Sequence, residues 1–149
     1  MKKLILFILL LFTLTTCKAP KQNIFTKQKA TIVQVDAGTY DVEIYIVVSK
    51  DTNKAREAID TIIDEKFSFE NAEAETIYTE YSPIVVWLQE IPNTPEQYAT
   101  LNHELLHVTV EIMRYCGMSL TEDTEEAYAY ELGYISKKVL EEFRKIKQE

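Results

Sequence analysis

Glycine, cysteine, histidine and positive charge are all scarce in this chain of 149 residues, which has 3 Gly, 2 Cys, 2 His and 16 Lys plus Arg against 24 Asp plus Glu. Each scarcity excludes something. Gly38, Gly117 and Gly133 lie too far apart for a glycine-rich phosphate loop. Cys17 and Cys116 cannot build a cysteine-rich zinc site or a disulfide framework. A formal net charge of −8 and a pI near 4.9 argue against electrostatic binding of nucleic acid. The remainder, 46% hydrophobic and 27% charged, is globular composition. The length fits one domain with a core that stands without disulfides. What survives is a small acidic domain whose chemistry is to be sought at its histidines.

Lys2 and Lys3 precede an apolar run from Leu4 to Leu14, LILFILLLFTL. A basic start followed by about eleven apolar residues reads as a secretory signal, too short to span a membrane comfortably. The run closes on Leu14-Thr15-Thr16-Cys17, which resembles a bacterial lipoprotein box. The resemblance implies that Cys17 is lipidated, becomes the mature N-terminus and anchors the protein outside the cytoplasm. Loss of Lys2 and Lys3 takes the net charge from −8 to −10. Residues 18–28 carry no periodicity and read as a polar tether; one domain over 29–149 follows. Cys116 then has no partner in the chain and reads as a small buried residue near a helix end.

Within the domain, Ala30 to Asp36 and Tyr40 to Val48 are β-branched and alternating, split by Ala37-Gly38-Thr39, and predict an antiparallel hairpin. Thr52 is positioned to cap a helix whose apolar positions Ala55, Ala58, Ile59, Ile62 and Ile63 follow helical spacing. Phe67 to Thr79 is polar and fits neither template. Ile84 to Gln89, opened by Pro83, predicts a third strand. Thr94-Pro95-Glu96-Gln97 is a capping box that opens a helix to about Tyr115, with Gly117 as its left-handed stop. Ser119-Leu120-Thr121-Glu122 is a second capping box, opening a helix toward Lys145. The expected order is β-β-α-β-α-α.

The first long helix carries His103-Glu104-Leu105-Leu106-His107, an H-E-x-x-H sequence. Residues four apart share one helix face, so both imidazoles can reach one zinc ion, while Glu104 beside them can hold a water at that ion. With two histidines in the chain, chance places them four apart with Glu between in roughly one arrangement in six hundred. Leu101, Leu105, Val108 and Ile112 supply a core face, and the histidines fall off it. A catalytic zinc needs a third protein ligand. Glu111 is excluded, because eight residues of helix from His103 cover about 12 Å. The next helix offers Glu126, one turn before the small residues Ala129 and Gly133, a stripe suited to close approach; Glu125 and Asp123 are its rivals.

His103-Glu104-x-x-His107 with Glu126 nineteen residues beyond resembles the glutamate-ligand (gluzincin) branch of the zincin metallopeptidases. The stretch from Pro92 to Ile135 also resembles short H-E-x-x-H proteins of tailed phages and their bacterial hosts. The resemblance implies an α+β minimal zincin-like domain, a small mostly antiparallel sheet packed on the H-E-x-x-H helix and a following ligand-bearing helix. It implies Zn²⁺ on His103, His107 and Glu126, Glu104 as catalytic acid/base, and a peptide or protein substrate pairing with the strand Ile84 to Gln89. With no spare histidine for the developing oxyanion, Tyr130, one turn beyond Glu126, is the economical donor, and Tyr128 is its runner-up. Trp87 reads as a buried tryptophan. Two other readings stay open: a zinc-binding lipoprotein without turnover, acting as an interaction or exclusion protein, and a plain lipoprotein whose motif is accidental.

The leader generates its own test. Cys17 should carry lipid and the protein should fractionate with membranes when made in a bacterium, whereas Cys17→Ala should accumulate unprocessed or be released. Mass spectrometry of the mature N-terminus reads the outcome.

Overall fold

A computed structural model describes residues 29–148 apart from 39, 70–72 and 79–82. The signal, the lipoprotein box with Cys17 and the tether therefore lie outside the described residues. The elements are β1 (Thr31–Asp36), β2 (Glu43–Val48), α1 (Thr52–Ile63), β3 (Ala74–Ile77), β4 (Ile84–Leu88), α2 (Pro95–Tyr115) and α3 (Glu125–Ile146). The four strands form one sheet in the order β1-β2-β4-β3. The β1·β2 and β3·β4 pairs are antiparallel and β2·β4 is parallel, so the domain is α+β with a mixed, mostly antiparallel sheet.

The predicted hairpin forms, with Thr31 opposite Val48 and Asp36 opposite Glu43. Its connection uses Gly38 at φ +69°, which favours glycine, and a Cβ there would also crowd the Tyr134 ring of α3 at 3.1 Å. Asp36 Oδ1 accepts from the Gly38 N–H at 2.9 Å and pins the turn. From β2 the chain crosses over through α1 to reach β4. All five residues of β4 are buried, as expected for a strand covered on both faces.

Period-two alternation splits the core into two layers. Ile84, Val86 and Leu88 face one way, onto Leu101, Leu105, Val108 and Ile112 of α2 and Ile135, Val139 and Phe143 of α3. Val85 and Trp87 face the other way, onto Ala55, Ile59 and Ile63 of α1. Trp87 is buried, and its indole N–H donates to the Ser49 carbonyl at 3.0 Å.

Several boundaries differ from the sequence reading. Asp51, not Thr52, caps α1, accepting from the N–H groups of Asn53 and Lys54. The ambiguous stretch contains a strand, β3, whose four residues are too few to display alternation. The capping box at Thr94 forms with both of its hydrogen bonds. At the other end of α2, Met118 N–H reaches Met113 O and Gly117 N–H reaches Arg114 O, each at 2.9 Å, with Gly117 at φ +71°. That is the Schellman arrangement the glycine predicts. The second capping box is not used: the Thr124 hydroxyl turns back to Ser119 O and α3 begins only at Glu125. Cys116 sits at the helix end as expected, but it is exposed rather than buried.

The buried stripe of α3 is Tyr128, Glu131, Ile135, Val139 and Phe143. Glu131 is only 8% exposed and its Oε1 is buried with no hydrogen-bond partner. Burial, and then the Asp36 carboxylate, hold its pKa above the ordinary glutamate range. A carboxyl group whose pKa is raised on folding contributes stability fully below its unfolded value, about 4.3, and that contribution is lost as pH rises through the folded value. Glu131→Gln should therefore raise the melting temperature at about pH 7 while changing it little at about pH 4. Melts of both proteins across that range, followed by circular dichroism, give the comparison.

Candidate metal and catalytic site

Helix α2 owes its rotation to the core. Leu101, Leu105, Val108 and Ile112 lie against the sheet, so a helical period of 3.6 carries His103 and His107 to the outer face, where both are exposed. The two Nε2 atoms converge to 3.1 Å, with ring centroids 4.8 Å apart and planes at 78°. Two nitrogens at the ordinary zinc–imidazole distance in a tetrahedral shell stand roughly 3.3 Å apart, so the pair is within a few tenths of an ångström of that spacing. At that separation one imidazole nitrogen can donate to the other, the direction being set by the tautomers.

Glu104 is turned the other way, toward the sheet, and is only 7% exposed. The pairing of Thr76 with Val86 puts the Thr76 side chain on the α2 side of the sheet. Its hydroxyl meets Glu104 Oε2 at 2.6 Å and lies 3.2 Å from the Glu104 carbonyl oxygen. One hydroxyl proton serves one acceptor at a time, and the short, charge-assisted contact to the carboxylate is the stronger. Edge strand β3 thus holds the acid of the motif in place from behind. Thr76 gave no signal in the sequence, because it lies in the stretch that matched no template.

This arrangement corrects the expected substrate strand. β4 is paired on both sides, by β2 and β3, and has no free edge for an added chain. The edge beside Glu104 belongs to β3.

One turn past His107, Glu111 is buried, and its carboxylate accepts from Arg114 through Nε at 3.0 Å and through Nη2. Glu111 holds the Arg114 guanidinium in its charged form and, after burial, is the main cause of the raised pKa of Tyr115. Glu111 is therefore committed to its own helix, in keeping with its exclusion as a ligand.

The residues expected from α3 are not gathered with the histidines. Glu126, Glu125 and Asp123 are exposed, and among the described residues no three His, Cys, Asp or Glu side chains are grouped to hold a metal. The packing argument for Glu126 fails for an identifiable reason. Ala129 and Gly133 are exposed, and a Cβ built on Gly133 would meet nothing within 4 Å, so the stripe of small residues faces outward. Tyr130 lies on that outward side at 77% exposure. Tyr128 is buried and donates its hydroxyl to Met118 O at 2.9 Å, a tie between α3 and the end of the Schellman turn. No protein family, curated protein or solved structure matches the chain.

The Thr76–Glu104 contact yields a stability test. Thr76→Val keeps the shape of the side chain but leaves Glu104 Oε2 without its donor, which should cost about 1–3 kcal/mol. Thr76→Ser should restore most of the loss, as read from urea midpoints.

Proposed function

We propose that the protein is a zinc-dependent peptidase, anchored outside the cytoplasm through Cys17, with its reaction centre at His103, His107 and Glu104. The observation that carries the reading is the 3.1 Å approach of the two Nε2 atoms on an exposed helix face, in a sequence whose intervening glutamate, Glu104, is buried and held by Thr76. His103 and His107 would hold the ion through neutral imidazole nitrogens. Glu126 is the proposed third ligand, with Glu125 and Asp123 as rivals on the same exposed start of α3, since Glu104 and Glu111 are already hydrogen-bonded and Glu131 is buried. When bound, zinc supplies Lewis acidity and a water acidic enough to be a nucleophile near neutral pH.

The chain's own residues account for the proton. In this reading Glu104, whose Oε2 accepts from Thr76, takes the proton of the attacking water and returns it to the departing amine.

Metal analysis tests the site first: one zinc per chain, lost in His103→Ala and in His107→Ala. Glu126→Ala should lower zinc affinity by about 10-fold or more. If Glu125→Ala does so instead, the ligand moves by one position. Chelator-sensitive cleavage of extended peptides near neutral pH tests the chemistry. Glu104→Gln should keep the zinc and lose about 10²–10⁴-fold in rate. Equal performance of wild-type and Glu104→Gln proteins would favour the zinc-binding interaction protein, which has no use for that carboxylate.

A further inference from the structure

Between Lys66 and Lys137 the chain contains one cationic side chain, Arg114, among thirteen Asp and Glu residues. That interval includes the whole of β3, β4 and α2. Arg114 follows His107 by seven residues, two helical turns, and so returns to the same exposed face of α2. Its side chain is 63% exposed. It is nevertheless held in place: Glu111 takes Nε and Nη2, and the guanidinium stands 5.6 Å from the centroid of the Tyr115 ring. The bond to Glu111, three residues earlier, draws the guanidinium back along α2 toward its N-terminus.

The Glu111 contact engages Nε and Nη2, one edge of the guanidinium. Glu111 itself is only 4% exposed, so the clamp is a buried carboxylate fixing a guanidinium in one orientation, with the ordering of a long side chain completed before any ligand arrives.

We propose that Arg114 is a specificity-determining residue that binds a carboxylate of the substrate, a reading that rests on the peptidase assignment above. Seven residues of helix advance about 10.5 Å, and the guanidinium reaches back by part of a turn. Extended peptide advances about 3.3 Å per residue, so the recognised carboxylate lies two to three residues from the bond that reacts. It comes either from an Asp or Glu side chain or from the C-terminus of the substrate.

The experiment uses zinc-loaded full-length protein and two sets of extended peptides. One set scans Glu against Gln along the sequence, and the other compares a free C-terminus with its amide. The wild type should favour the carboxylate at one position by about fivefold in kcat/KM, the upper range for a solvent-exposed ion pair, and the preference should shrink with added salt. Whichever set shows it identifies the source. Arg114→Gln should abolish the ratio between paired peptides while leaving cleavage of the uncharged member. Because that variant strands the buried Glu111, Glu111→Gln/Arg114→Gln is measured beside it and should show the same lost ratio. Cleavage with no carboxylate preference, or a preference that survives in both variants, overturns the role of Arg114 and leaves the peptidase reading standing. Absence of zinc-dependent cleavage for every peptide overturns both.

Discussion

The seating of α2 on the sheet sets nearly everything else in this domain. Leu101, Leu105, Val108 and Ile112 bury one stripe of the helix against Ile84, Val86 and Leu88. Because the helix repeats every 3.6 residues, that burial fixes the direction of every other side chain on α2. The histidines point to solvent, Glu104 points at β3, and Glu111 lies at the boundary where Arg114 can close over it. A buried leucine stabilises by roughly 1.5–3 kcal/mol, so the four together dominate any polar preference of the outer face. The capping box at Thr94 and the Schellman turn at Gly117 fix the two ends of the same helix.

Two helices bury three glutamates, each settled differently. Glu104 is satisfied across elements by a hydroxyl on the neighbouring strand. Glu111 is satisfied within its own helix by the guanidinium three residues on. Glu131 has an Oε1 with no partner and an acidic neighbour in Asp36. Natural domains leave few buried polar groups unpaired, and those that remain mark a cost accepted at that point in the fold. The contrast separates Glu104, held by a donor on the neighbouring strand, from Glu131, whose carboxyl is opposed by burial and by the Asp36 carboxylate.

Much of this was legible in the chain because the signals were local. The hairpin, the amphipathic α1, the capped α2 and the H-E-x-x-H face follow from periodicity and end signals within a dozen residues. β3 was illegible because four residues, one of them charged, cannot display a period, and its partner Val86 makes it a strand. The rotation of α3 was misread for a different reason. Ala129 and Gly133 suggest a close-packed stripe, yet Tyr128, Ile135, Val139 and Phe143 offer far more apolar area and turn the helix toward themselves. The same competition carries Glu126 and Tyr130 to the exposed side. The second capping box failed because Thr124 made its hydrogen bonds within the turn instead of at a helix start.

The position of β3 in the chain also bears on the order in which the domain assembles. β1 and β2 meet through a short turn, as do α2 and α3, whereas β4 must find β2 across about forty residues, with Ile44 opposite Ile84. Pairings of that separation form late, after the loop entropy has been met by local structure. β3 docks on β4 alone, as a four-residue edge, the kind of element from which local opening starts in folded domains. Each such opening withdraws Thr76 from Glu104 and leaves the two histidines untouched on their helix. Glu104 and the imidazoles share one helix, yet the hydroxyl that orients the carboxylate sits on the short edge strand, so the seat of the helix and the orientation of that one side chain rest on separate parts of the fold.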